Sequence, residues 1–147
     1  SKDTVVLMTE MIHDARVVPL YNSAAELAEL DDMVRLYTGD SRGYWDGDTL
    51  VIVTKNFNDL SPSFGSVGTS YDKVLTEKLT RVGLYTVDYE FTVDDPSTYS
   101  DIFTAIVSMT KVDGLLYEYA CHEGNYGMVN ILRGARVQDR LEAEGLL

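Results

Sequence analysis

The chain has one cysteine, Cys121, in 147 residues, so no internal disulfide can form. It needs none: a chain of this length buries about two-thirds of the surface it exposes when unfolded. A lone cysteine is compatible with a reducing compartment and with bacterial export alike. It also leaves no Cys-x-x-Cys pair, and strand alternation keeps Cys121, His122 and Glu123 from converging on one ion, so no metal is expected. Basic residues are scarce, 12 against 24 acidic, for a formal net charge of −12. That balance disfavours nucleic acid and anionic membrane surfaces as partners. No apolar run approaches the roughly eighteen residues needed to span a bilayer. There is no Gly-Lys-Ser/Thr phosphate loop and no low-complexity tract or fixed-period repeat, and no cofactor is expected. The chain begins at Ser1 without a basic-then-apolar leader, the expectation being a removed signal peptide or a piece of a longer chain.

The clearest pattern present is Tyr85 to Asp95. Tyr85, Val87, Tyr89, Phe91 and Val93 share one parity; Thr86, Asp88, Glu90, Thr92 and Asp94 share the other. Strand side chains alternate faces, so this segment is a half-buried strand with an aromatic inner side. Similar strand signals cover Thr4–Ile12, Ala15–Leu20, Leu36–Trp45, Asp48–Phe57, Lys73–Val82, Asp101–Thr110 and Leu115–Cys121. Asp46-Gly47 reads as a type I′ hairpin turn. Ser23 and Glu26 form a capping box that opens a short helix over Ala24–Met33. From Gly127 the period becomes helical: Met128, Ile131, Leu132 and Ala135 make an apolar stripe, and Gly145 stands at the C-cap position. Leu50-Val51-Ile52-Val53 is apolar on both faces, so its outer side requires cover from the terminal helix or a second subunit. Asn58–Asp72 is a loop too long for a plain turn. The expectation is a mainly β, single domain over 1–147. About eight strands form an antiparallel meander that closes into a lipocalin-like barrel, with one short helix and a C-terminal helix.

Few residues stand out as chemistry. His13 and His122 are the only histidines. His122 and Tyr119 end the last expected strand, and Glu10 lies towards the end of the first. Closing a meander brings those strands together, giving a His122–Glu10 dyad with Tyr119 beside it as the candidate catalytic set. The alternative is a hydrogen-bonded strand-end histidine at His122 and a turn histidine at His13. Arg42 either faces inward to hold an anionic group or is a surface charge. Tyr85, Tyr89 and Tyr117 would line a ligand pocket or simply fill the barrel. Three functional classes remain open: a binding module for a small apolar or aromatic molecule, a cofactor-independent cyclase, isomerase or lyase using His and Tyr, and a structural or interaction subunit of a homo-oligomer or larger assembly.

Several stretches carry a resemblance: Glu10 to Arg16, Gly39-Asp40-Ser41-Arg42-Gly43-Tyr44-Trp45-Asp46-Gly47-Asp48-Thr49-Leu50-Val51, Asn56-Phe57, and Tyr117-Glu118-Tyr119-Ala120-Cys121-His122-Glu123-Gly124-Asn125-Tyr126-Gly127-Met128. They resemble the C-terminal portion of a family of uncharacterised, often exported bacterial proteins. The similarity covers most of the chain and departs between Tyr21 and Tyr37 and after Asn58. It implies a shared scaffold and a periplasmic or secreted location. It carries over no activity and no catalytic residue.

Overall fold

The computed structural model describes residues 3–10, 13–27, 33–61, 70–117 and 126–146. Two compact units make up the chain, 1–117 and 118–147. The first holds a seven-stranded sheet in sequential order: β1 (Thr4–Met8), β2 (Ala15–Tyr21), β3 (Asp40–Asp46), β4 (Thr49–Lys55), β5 (Val74–Gly83), β6 (Thr86–Asp94) and β7 (Phe103–Thr110). The second holds α1 (Gly127–Ala143).

Sequence alternation accounts for the strands, and the expected mainly β architecture stands. Three details differ. The sheet is mixed: β2 and β3 run parallel, while every other pair is antiparallel. The β3–β4 turn is centred on Gly47-Asp48, one residue later than expected, and only Gly47 has positive φ, as in a type II′ turn. The capped helix is a single 3-10 turn, Ala24–Glu26, in which Ser23 makes no side-chain capping bond. Glu26 instead accepts from the Asn22 side chain at 2.7 Å. Leu27 closes that turn in an extended conformation, and residues 28–32 of the expected helix lie outside the described set. So does most of the eighth strand: 115–117 are irregular and 118–121 are not described.

The sheet curls into a half-barrel, and one contact measures the curl. β2 and β5 are three strand spacings apart, about 14 Å in a flat sheet. Yet the Arg16 guanidinium on β2 meets the Glu77 carboxylate on β5 at 2.7 and 2.8 Å. The fold-over occurs where β2 pairs with β3 in register at two positions, Leu20 with Gly43 and Tyr21 with Tyr44. Gly43 makes room for it. A Cβ there would stand 3.1 Å from side-chain carbons of both Val18 and Leu20 and 3.2 Å from the Val51 carbonyl oxygen. With the β1–β2 hairpin laid across the sheet, Val18, Leu50 and Ile52 form the buried core, packed by Val5, Leu7, Leu20 and Leu79. This hairpin covers the inner side of the apolar β4 run.

The outer face is a ladder of polar cross-strand pairs. Thr49 meets Thr80 at 2.8 Å, Lys78 meets Glu90 at 2.8 Å, Thr92 meets Thr104 at 2.8 Å, and Ser108 donates to Asp88 at 2.5 Å. Such pairs hold register and each contributes a fraction of about 1 kcal/mol.

α1 ends in a Schellman arrangement, as its glycine signalled. The Gly145 N–H donates to the Glu142 carbonyl, and the Leu146 N–H donates to the Leu141 carbonyl. Its apolar stripe, including Met128, Ile131 and Leu132, is exposed.

Candidate functional site on the inner face

Cross-strand register aligns the inner-facing residues into rows. One row runs Gly43, Ile52, Glu77, Phe91, Ala105; the next runs Trp45, Leu50, Leu79, Tyr89, Val107. Glu77 therefore sits in a row that is otherwise apolar, flanked on its own strand by Leu75 and Leu79. It is 2 % exposed. A buried carboxylate requires compensation, and two groups supply it through three hydrogen bonds. Arg16 grips both oxygens, and the Tyr89 hydroxyl donates to Oε1 at 2.7 Å. Arg16 also approaches the Thr54 hydroxyl at 3.4 Å, and Thr54 shares a 2.9 Å bond with Ser41.

The electrostatics follow from this geometry. Burial works against the Arg16 charge, but the hydrogen bonds and charge of Glu77 outweigh it, so the guanidinium holds its proton more tightly than usual. Burial, then the bond to Glu77 and its negative charge, keep the Tyr89 phenol protonated far above its ordinary range, against the smaller opposing pull of Arg16. The cluster is thus an ion pair with a neutral phenol attached.

Beside it the inner face opens. Tyr89 and Phe91 lie with ring centroids 5.6 Å apart. On β7, Val107 and Met109 of the same face are 50 % and 42 % exposed. At the other end of the face stand two more buried charges. Asp95, 2 % exposed, accepts the Ser70 N–H at 3.1 Å and the Ser70 hydroxyl. Lys73, 8 % exposed, holds its Nζ 4.1 Å from the centre of the Phe57 ring.

Of the expected site residues, only Tyr89 lies in this cluster. His122 and Tyr119 are outside the described residues, and with them the dyad. Glu10 is exposed beyond β1 and accepts the Tyr117 backbone N–H at 3.3 Å; the Tyr117 side chain is exposed. Tyr85 is exposed in the β5–β6 turn, 5.5 Å from the Lys111 ammonium. Arg42 takes the outward position, opposite Val53, with Nε on Asp40 at 2.8 Å and Nη1 on the Tyr21 hydroxyl at 3.2 Å. His13 is a turn residue with φ of 60°. Sequence reasoning passed over Arg16, Glu77, Lys73 and Asp95. The signal was present: Arg16 shares parity with Val18 and Leu20, and Glu77 with Leu75 and Leu79. Opposite charges on the apolar parity of two strands mark a buried pair.

Among the described residues, no group of three or more His, Cys, Asp or Glu is placed to hold a metal, and no helix is long and apolar enough to cross a membrane. Compared with known proteins, the chain gives no significant match to any family model, curated protein or solved structure.

Proposed function

We propose that the inner face of the half-barrel binds a small molecule with an apolar or aromatic body. One juxtaposition supports this reading. The Arg16–Glu77–Tyr89 cluster has its hydrogen bonds satisfied within the protein, and it borders a half-open apolar strip formed by Phe91, Val107 and Met109. A ligand there would meet hydrocarbon and aromatic surface with one fixed phenol at its side, the usual composition of a small-molecule site. A lipocalin-like closing of the half-barrel around the ligand belongs to the same reading. The resemblance around Gly39–Val51 supports a periplasmic or secreted setting. The cyclase, isomerase or lyase reading has less support: Tyr89 is held protonated, and its partner Glu77 is already committed to Arg16.

A second reading, as a subunit of an assembly, draws on β7. This strand carries no charged residue, and among the described residues it pairs on one side only, with β6. Uncharged edge strands are prone to pair with another chain.

Native mass spectrometry of the protein taken from its source tests both. A retained small molecule on a monomer supports the binding reading. A ligand-free oligomer supports the second, and a ligand-free monomer that also fails to bind neutral aromatic probes contradicts both.

A further inference from the structure

Lys73 stands just before β5, on the inner parity of Leu75 and Glu77. Its stem is buried and its ammonium lies over the Phe57 ring. Among the described residues no carboxylate oxygen comes within ion-pair distance of it and no acceptor hydrogen-bonds it. Among the described residues no side-chain nitrogen or oxygen sealed from solvent lacks a partner, so the Lys73 Nζ keeps contact with water. A buried stem with a reachable, unbonded amine is unusual for lysine, which ordinarily keeps its head fully hydrated.

Lys78 supplies the contrast five residues on. It faces outward, and its Nζ is fixed on Glu90 at 2.8 Å. The Glu90 bond and charge raise the Lys78 pKa above the ordinary value. Around Lys73 the charged groups are Asp95 beyond β6, Glu77 on β5 with its partner Arg16 from β2, Asp72 next in sequence, and Arg35, which bonds the Phe57 and Tyr71 carbonyls at 3.4 and 2.8 Å. Burial lowers the Lys73 pKa by more than Asp95 and Glu77 raise it.

We propose that Lys73 is an imine-forming amine that takes a small, uncharged aldehyde, with Phe57 as the flat surface beside it. Its neutral Nζ adds through its lone pair to the aldehyde carbon, and the carbonyl π electrons move to oxygen. Both Nζ hydrogens then leave with that oxygen as water, giving R–CH=N–Lys73. A neutral aldehyde fits better than an anionic one, because Asp95 and Glu77 surround the amine and the chain is acidic overall. The inference goes beyond the apolar-ligand reading and stands without it.

The test is reductive trapping of the whole chain with benzaldehyde and sodium cyanoborohydride near neutral pH, followed by peptide mapping over time. Lys73 should take the benzyl label severalfold faster than Lys78, and the Lys73 labelling rate should reach half its maximum at a lower pH. The preference should vanish in denaturant, and Lys73→Arg should remove the fast-labelled site while circular dichroism stays unchanged. Labelling of Lys73 at or below the Lys78 rate in the folded protein overturns the proposal.

Discussion

Glu77 and Lys78 are neighbours on one strand, and each makes an ion pair, yet the two pairs belong to different chemistry. Lys78 and Glu90 meet on the outer face at 2.8 Å, with the lysine side chain 46 % exposed. Glu77 and Arg16 meet inside the curl of the sheet at 2.7 Å, with the carboxylate sealed and the guanidinium side chain 20 % exposed. The outer pair adds to a ladder that includes several threonines and a serine. The inner pair ties β2 to β5 and fixes how far the half-barrel closes. Proximity in sequence says nothing about which kind of pair a residue joins; parity does.

The largest expected effect is at the inner pair. Arg16→Ala leaves a buried carboxylate without its cation and should cost about 3 kcal/mol, the lower end for a buried pair because Arg16 is partly wet. Arg16→Met with Glu77→Met and Tyr89→Phe should recover most of that loss, since the charge is gone on both sides and no phenol is left without its acceptor. Chemical denaturation of wild type and the two variants checks it; a combined variant as unstable as the single one would mean the pair is not the cause.

Tyr89→Phe comes next. It removes one hydrogen bond to a charged acceptor and should cost about 1.5–3 kcal/mol. Tyr89 also sets an alkaline limit. Its folded pKa is raised, so its contribution is fully present below the ordinary tyrosine pKa of about 10 and is lost as pH rises above it. Wild-type stability should fall in that alkaline window more steeply than that of Tyr89→Phe. Equal slopes would show that Tyr89 titrates normally.

At the outer pair, Lys78→Ala should cost about 0.2–1 kcal/mol, and the loss should shrink in high salt. A loss as large as that of Arg16→Ala would erase the distinction between the two faces.

Much of the fold was legible because it depends on period-two alternation, which tertiary context does not disturb. The strand runs at Thr49–Lys55 and Thr86–Asp94, the α1 stripe and the Gly145 cap all follow from local pattern. The parallel pairing of β2 with β3 was not legible, since it depends on where the chain returns after Tyr21. The candidate site was half legible. Tyr89 followed from its aromatic parity. Arg16 and Glu77 were readable as charges on apolar parities, but they are 61 residues apart, and only the curl at Gly43 brings them together. Arg42 drew attention as a strand cation, and its parity with Tyr44 puts it outside.

The sharpest test of the difference between the faces uses adjacent residues on β7. Val107 faces the inner strip and is 50 % exposed; Ile106 faces outward and is 63 % exposed. The measurement is a fluorescence titration with the neutral probe N-phenyl-1-naphthylamine on wild type, Val107→Glu and Ile106→Glu, with melting temperatures in parallel. Saturable binding that survives Ile106→Glu and is lost in Val107→Glu, with all three melting alike, is the expected result. Equal binding by the two variants, or none in the wild type, would contradict a ligand-binding inner face.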